Sequence, residues 1–135
     1  NHGCLEVYAS LRGPLAEAEK HFGRPMRIAD VVALAQEGDE VCRNLIRRAA
    51  EAGGRGLGII GSVFNPPLIV ISGGLERAGD LLLEPLAQSF ERYGLIKRDD
   101  VPDATRTILR PSRFPENGAC MGAVGLVLRH HGRLH

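Results

Sequence analysis

Apolar positions recur at helical spacing along most of the chain. Leu5, Tyr8, Leu11, Leu15, Ala18 and Phe22 return every three or four residues, so 5–22 reads as helix, with Gly13-Pro14 predicting one kinked helix or two short ones. Residues 28–36 form a short apolar helix that Gly38 closes from the position after its last turn. Asp39 is placed to cap the next helix, in which Val41, Leu45, Ile46 and Ala49 make one face and Arg43, Arg47 and Arg48 another. That helix is expected to run on through Gly53, Gly54, Gly56, Gly58 and Gly61 to Phe64, although each glycine costs about 1 kcal/mol relative to alanine. Its small residues would let it lie close against a sheet, with Leu57, Ile60 and Phe64 filling the gaps.

Two segments break the helical period. Leu68, Ile69, Val70 and Ile71 form a continuous apolar run between Pro66-Pro67 and Gly73-Gly74, the pattern of a strand buried on both faces. Thr105 to Leu109 is a second β-branched run, and between the two lies a helix over 80–93 with Leu82, Leu83, Leu86, Phe90 and Tyr93 on its apolar side. Strand, helix and strand in this order predict a right-handed βαβ unit with parallel strands at about 68–72 and 105–110. A last helix covers 117–130, with Asn117 as N-cap and Gly132 as stop. The fold class is α/β, mostly helical. Two strands leave both sheet edges unpaired, so further sheet partners are expected from outside these residues, either as a homodimer or through a retained upstream piece.

Composition narrows this only modestly. The 135 residues make one domain, and 44% apolar with 24% charged residues is ordinary for a globular protein. A formal net charge of +1 argues neither for nor against an anionic partner, and Glu37, Asp39, Glu40 and Glu51 dilute the arginine cluster, which reads as a solvated helix face rather than a nucleic-acid surface. No apolar run reaches the roughly 20 residues that span a bilayer, so the expected compartment is the cytoplasm and no membrane partner is expected. Cys4, Cys42 and Cys120 are odd in number and far apart, which fits reduced thiols better than a disulfide framework. The chain opens at Asn1 with no initiator Met, as a piece of a longer polypeptide would.

Two motifs are weak. Gly56-Leu-Gly58-Ile-Ile-Gly61 matches the dinucleotide fingerprint in letters, but that fingerprint needs a strand before it and a full helix after it, and neither is present. The histidines of the tail from Arg129 to His135 read as a frayed terminus before they read as a metal site.

Three stretches carry more. Asn1-His-Gly-Cys-Leu-Glu-Val-Tyr-Ala-Ser10, Asn65-Pro-Pro-Leu-Ile-Val-Ile-Ser-Gly-Gly-Leu75 and Gly118-Ala-Cys-Met-Gly-Ala123 resemble, in this order, three signatures of the ROK family. Members of that family are bacterial sugar kinases and sugar-responsive transcriptional repressors. The resemblance implies the carboxyl-terminal part of an actin-like ATPase (ribonuclease H-like) domain, with the amino-terminal ATPase-like part and any DNA-binding domain absent from residues 1–135.

The family's first signature is Cys-x-Cys-Gly-x-x-Gly-Cys-x-Glu, with an upstream His completing a structural zinc site. Cys4 matches its third cysteine, so the resemblance implies zinc in the full-length protein, with the other ligands upstream of Asn1. A tetrahedral zinc needs four ligands, so Cys4 without them is an ordinary thiol, and His2 is a solvated loop histidine or a substitute ligand. Glu6 matches the family's sugar-contacting glutamate; taken by itself it passes as a first-turn helix acid. Ser72, Gly73 and Gly74 match the triple-glycine turn that family kinases place near the nucleotide, with Ser72 replacing the first glycine; without the family this is a plain strand-to-helix turn.

Phosphoryl transfer to a sugar needs a base near the hydroxyl and a cradle for the phosphates. In the family's kinases both lie upstream of the part matched here, so no catalytic residue is assigned, and ATP with Mg²⁺ is expected only on the kinase reading. The altered Ser-Gly-Gly turn, and Gly58-Ile-Ile-Gly-Ser-Val-Phe64 in place of the usual helix before Asn65, favour a sugar-sensing effector domain of a ROK regulator. The alternatives are a fragment of a ROK hexose kinase resembling glucokinase, inactive alone, and a small helical oligomerisation module.

Overall fold

The computed structural model describes residues 3–10, 12–95, 102, 105–114 and 117–132.

 

The longest element grows from one cap. The Asp39 carboxylate accepts the Cys42 backbone N–H at 2.8 Å and starts a 25-residue helix, α4 (Glu40–Phe64), as its position predicts. Before it come α1 (Leu5–Ala9), α2 (Arg12–Phe22) and α3 (Ile28–Glu37). After it come strand β1 (Leu68–Ile71), helix α5 (Asp80–Tyr93), strand β2 (Ile108–Pro111) and helix α6 (Gly118–His130).

The first helical stretch divides in two, but not at Gly13-Pro14. The break falls after Ala9, and Pro14 lies in the first turn of α2, where its missing N–H has no helical partner to lose. Gly38 ends α3 in the left-handed region at φ +108°, where glycine carries no Cβ penalty. A short 3₁₀ turn, Leu75–Ala78, precedes α5 in a stretch that reads as loop in the sequence. Asn117 stands at the N-cap of α6 without a side-chain capping bond, so its expected role is not met.

The core is helical. Ala18, Val31, Val32, Ala35, Cys42, Leu45, Ile46, Ala49 and Ala50 close it from α2, α3 and α4, and Leu75, Ala78, Leu82 and Leu86 from the 3₁₀ turn and α5. Gly54, Gly58 and Gly61 of α4 face α5 rather than the sheet, and Gly56 faces Leu5 of α1. A Cβ on Gly54 would stand 2.5 Å from Ser89 Cβ and 2.9 Å from Phe90 N, and one on Gly58 would stand 2.9 Å from Gly94 N. Helix against helix at this separation needs both positions free of side chains. Phe64, expected to fill a gap, is 74% exposed, and Ile60 is exposed with it.

β1 and β2 pair in parallel, with Leu68 opposite Ile108 and Ile71 opposite Pro111. The crossover through α5 makes the expected βαβ unit. Two corrections concern the strands. β2 begins at Ile108 rather than at about 105, because the Thr107 hydroxyl donates to the Pro66 carbonyl at 2.7 Å and Thr105 is tied back to Pro102, which takes both out of the ladder. β1 is not buried on both faces: Leu68 is 50% and Val70 53% exposed, while Ile71 and Leu109 pack against the core. One face meets the helices, and among the described residues no layer covers the other.

Candidate functional site

The carboxyl ends of the parallel strands and the start of α6 come together. Ile71 O accepts the Ser112 N–H at 2.7 Å, which extends the pairing beyond the last ladder position. A Cβ built on Gly118 would stand 2.7 Å from Ser72 Oγ and 3.0 Å from Ser112 Oγ, so both hydroxyls crowd the first residue of α6. Gly73 and Gly74 hold φ of +117° and +103°, the freedom that their pairing in the sequence implies. The carboxyl ends of the strands are the usual ligand side of an open α/β sheet.

Sequence reading missed the residue that organises this turn. Glu76 is buried, its Oε2 accepts the Gly74 N–H, and its Oε1 is buried without a hydrogen-bond partner. The available signal was an acid two residues after a glycine pair, which local propensity does not mark as buried.

Cys4 and Glu6 lie elsewhere, on α1. Cys4 is exposed at the N-cap of that helix and Glu6 is exposed in its first turn. Among the described residues no three His, Cys, Asp or Glu side chains gather as a metal site, so zinc at Cys4 would need ligands from outside them. His2 lies outside the described residues.

A groove of about 520 Å³ opens between α1, α2 and α4. Leu5, Tyr8, Pro14, Leu45 and Arg55 line it, but Glu6 does not. Arg48 bridges to Glu17 at 2.8 Å on its rim, joining α4 to α2. Arg47 pairs with Glu51 at 2.7 Å, and Arg43 donates to the Ala35 carbonyl at 2.9 Å. The arginine cluster is therefore engaged within the protein, as a solvated helix face would be.

Two carboxyls are held below their ordinary range. Asp39 is lowered chiefly by the Cys42 backbone N–H, and Asp30 by the Arg27 guanidinium and backbone N–H. Burial, and then the hydrogen bond to Asp39, pushes the Cys42 thiol up to about 11. Its thiolate is therefore scarce at neutral pH, which fits a packing role rather than a nucleophilic one.

The ROK family model matches residues 1–130. The chain is 30% identical over 127 residues to an N-acetyl-D-glucosamine kinase of Escherichia coli O1:K1, covering 94% of this chain and 40% of that protein. It is 28% identical over 133 residues to the DNA-binding transcriptional repressor Mlc of Escherichia coli K12, covering 91% of this chain and 31% of the repressor. Among solved structures, a ROK glucokinase from Streptomyces griseus in complex with glucose and AMPPNP superposes with a TM-score of 0.72 at 24% identity, over 93% of this chain and 45% of that one. A ROK transcriptional regulator homologous to Mlc gives a TM-score of 0.70 at 26% identity, over 90% of this chain and 33% of that one. The fold is thus that of the actin-like ROK proteins, and the chain spans less than half the length of these relatives.

Proposed function

The chain belongs to the ROK family, and we propose that it is the sugar-sensing part of a ROK transcriptional regulator. The observation that carries the regulator over the kinase is Ser72. Its side chain stands at the turn where the family's kinases have glycine, beside Gly118, so that the strand end offers a hydroxyl where a kinase would offer bare backbone. A second sequence argument falls away: Gly58 to Phe64 is helical, not a replacement for a helix.

On this reading Glu6 accepts hydroxyl hydrogen bonds from the sugar, and sugar binding shifts a conformational equilibrium that DNA-binding parts of the regulator read out. Cys4 contributes one thiolate to a zinc site completed from outside the described residues. The open outer face of the strand pair is covered by association, a homodimer being the simplest form. No helix among the described residues is long and apolar enough to cross a membrane.

The second reading, a ROK hexose kinase using ATP and Mg²⁺, is favoured by the similarity to the N-acetylglucosamine kinase and to the glucokinase structure. Calorimetric titration of glucose and N-acetylglucosamine, run beside an assay for ADP release, separates the two. A regulator gives sugar-dependent heat with no ADP, and Glu6→Gln weakens the sugar by about tenfold or more, the worth of one charge-assisted hydrogen bond. Sugar-dependent ADP release would establish the kinase instead. No heat with any hexose would leave the oligomerisation module.

A further inference from the structure

Two glycines in the left-handed region at the carboxyl end of a parallel strand turn backbone N–H groups outward, and such a concavity takes anions, phosphates above all. In this protein the concavity already holds one. Glu76 folds back so that its Oε2 accepts the Gly74 N–H, and the residue is only 7% exposed. Its Oε1 is buried with no hydrogen-bond partner. A glutamate free to swing into water would solvate both oxygens, and leaving one unmatched inside is unfavourable. Leu75 and Ala78, both in the core, fix the turn that holds it there. Gly73, in contrast, is exposed with nothing within 4 Å of a built Cβ, so access from solvent is open.

We propose that Glu76 is a built-in occupant of the Gly73-Gly74 turn: it holds the amide that a nucleotide phosphate would take and keeps the protein indifferent to ATP. This deepens the regulator reading and rests on it, because a sensor of sugar alone has no use for a nucleotide.

The test is amide NMR on the ¹⁵N-labelled chain with AMPPNP and Mg²⁺ as probe. In the unaltered protein the Gly74 amide exchanges with solvent about tenfold more slowly than in Glu76→Ala, the factor one hydrogen bond is worth. AMPPNP leaves the Gly73 and Gly74 signals in place in the unaltered protein and moves them in the variant. Movement in the unaltered protein, or none in Glu76→Ala, overturns the proposal. Should Glu76→Ala fail to fold, Glu76→Gln is read in its place, with the same responses at smaller size, and its silence towards AMPPNP is equally decisive. A glucose titration of the same samples keeps the two ideas apart. Absence of any glucose response, with the Gly74 results as expected, would sink the sugar-sensor reading and leave the capped turn standing.

Discussion

Ile46 and Val70 are both β-branched apolar residues on regular elements, yet Ile46 is wholly buried and Val70 is half exposed. The difference belongs to the regions that carry them. Around Ile46, the helices α2 to α5 close on one another and bury the apolar faces of α3, of α5 and of the first half of α4. Around Val70, a two-stranded layer has helices on one side only, and α6 has no buried residue. A helix satisfies its own backbone and needs only a partner for one face, whereas a parallel strand needs neighbours at both edges and cover on both faces. The helical body can therefore be complete where the strand layer is not.

The contrast is broken most severely at Gly54. Its Cβ would meet the Leu86 carbonyl and the Phe90 amide, and backbone obstacles do not rotate away. Gly54→Val is expected to cost about 3 kcal/mol or more, at or beyond the upper end of overpacking effects, read by urea denaturation. A loss under about 0.5 kcal/mol would show that α4 and α5 do not pack as closely as described.

Ile46→Ala tests the body without touching its backbone. Emptying a fully buried site costs about 2–5 kcal/mol, so the urea midpoint should fall sharply; the strand pair's outer face should give no comparable effect.

Asp39→Ala removes the cap of α4 and should lower the urea midpoint by less than either core substitution does. Its acid dependence has a definite sign. Asp39 and Asp30 titrate lower in the folded protein than in the unfolded chain, so their contribution is present above about pH 4 and is lost as pH falls below it. Cys42 works in the other direction. Its pKa is raised to about 11, so its share is full below about pH 8.5 and is lost as pH climbs towards about 11. Asp39→Ala should flatten the acid limb of a stability-against-pH profile and, by removing the second cause of the raised Cys42 pKa, shrink the alkaline limb to the part that burial sustains; an unchanged acid limb would show that Asp39 does not cap α4.

The smallest stability change sharpens the other side of the comparison. Val70→Asp sits on the open face and is expected to change the unfolding free energy by less than about 0.5 kcal/mol. Light scattering should nevertheless show weaker self-association if a second copy covers that face. A monomer of 14.6 kDa before the substitution would mean that the homodimer is not what covers it.

Much of the helical body was legible in residue order. Asp39 with Gly38 before it marks a helix start and stop, and the apolar positions of α3 and α5 repeat at the right interval. Legibility failed where a residue's neighbour comes from far along the chain. Nothing local says that Gly54 and Gly58 face α5 rather than a strand, or that Thr107 spends its hydroxyl on Pro66 and delays β2. At the candidate site, the positive φ of Gly73 and Gly74 follows from glycine itself, but the meeting of Ser72, Ser112 and Gly118 joins three distant segments. The burial of Glu76 was hidden for the same reason.

The amino-acid order by itself determined the Asp39 cap and the Gly38 stop, the helical stripes, the two β-branched runs and the glycine turn, because each depends on residues within a few positions of one another. Only the tertiary structure decided which faces are covered, where α4 allows no side chain, and that a glutamate occupies the amide of that turn. Burial and close approach depend on atoms brought together from remote parts of the chain, and no local pattern records them.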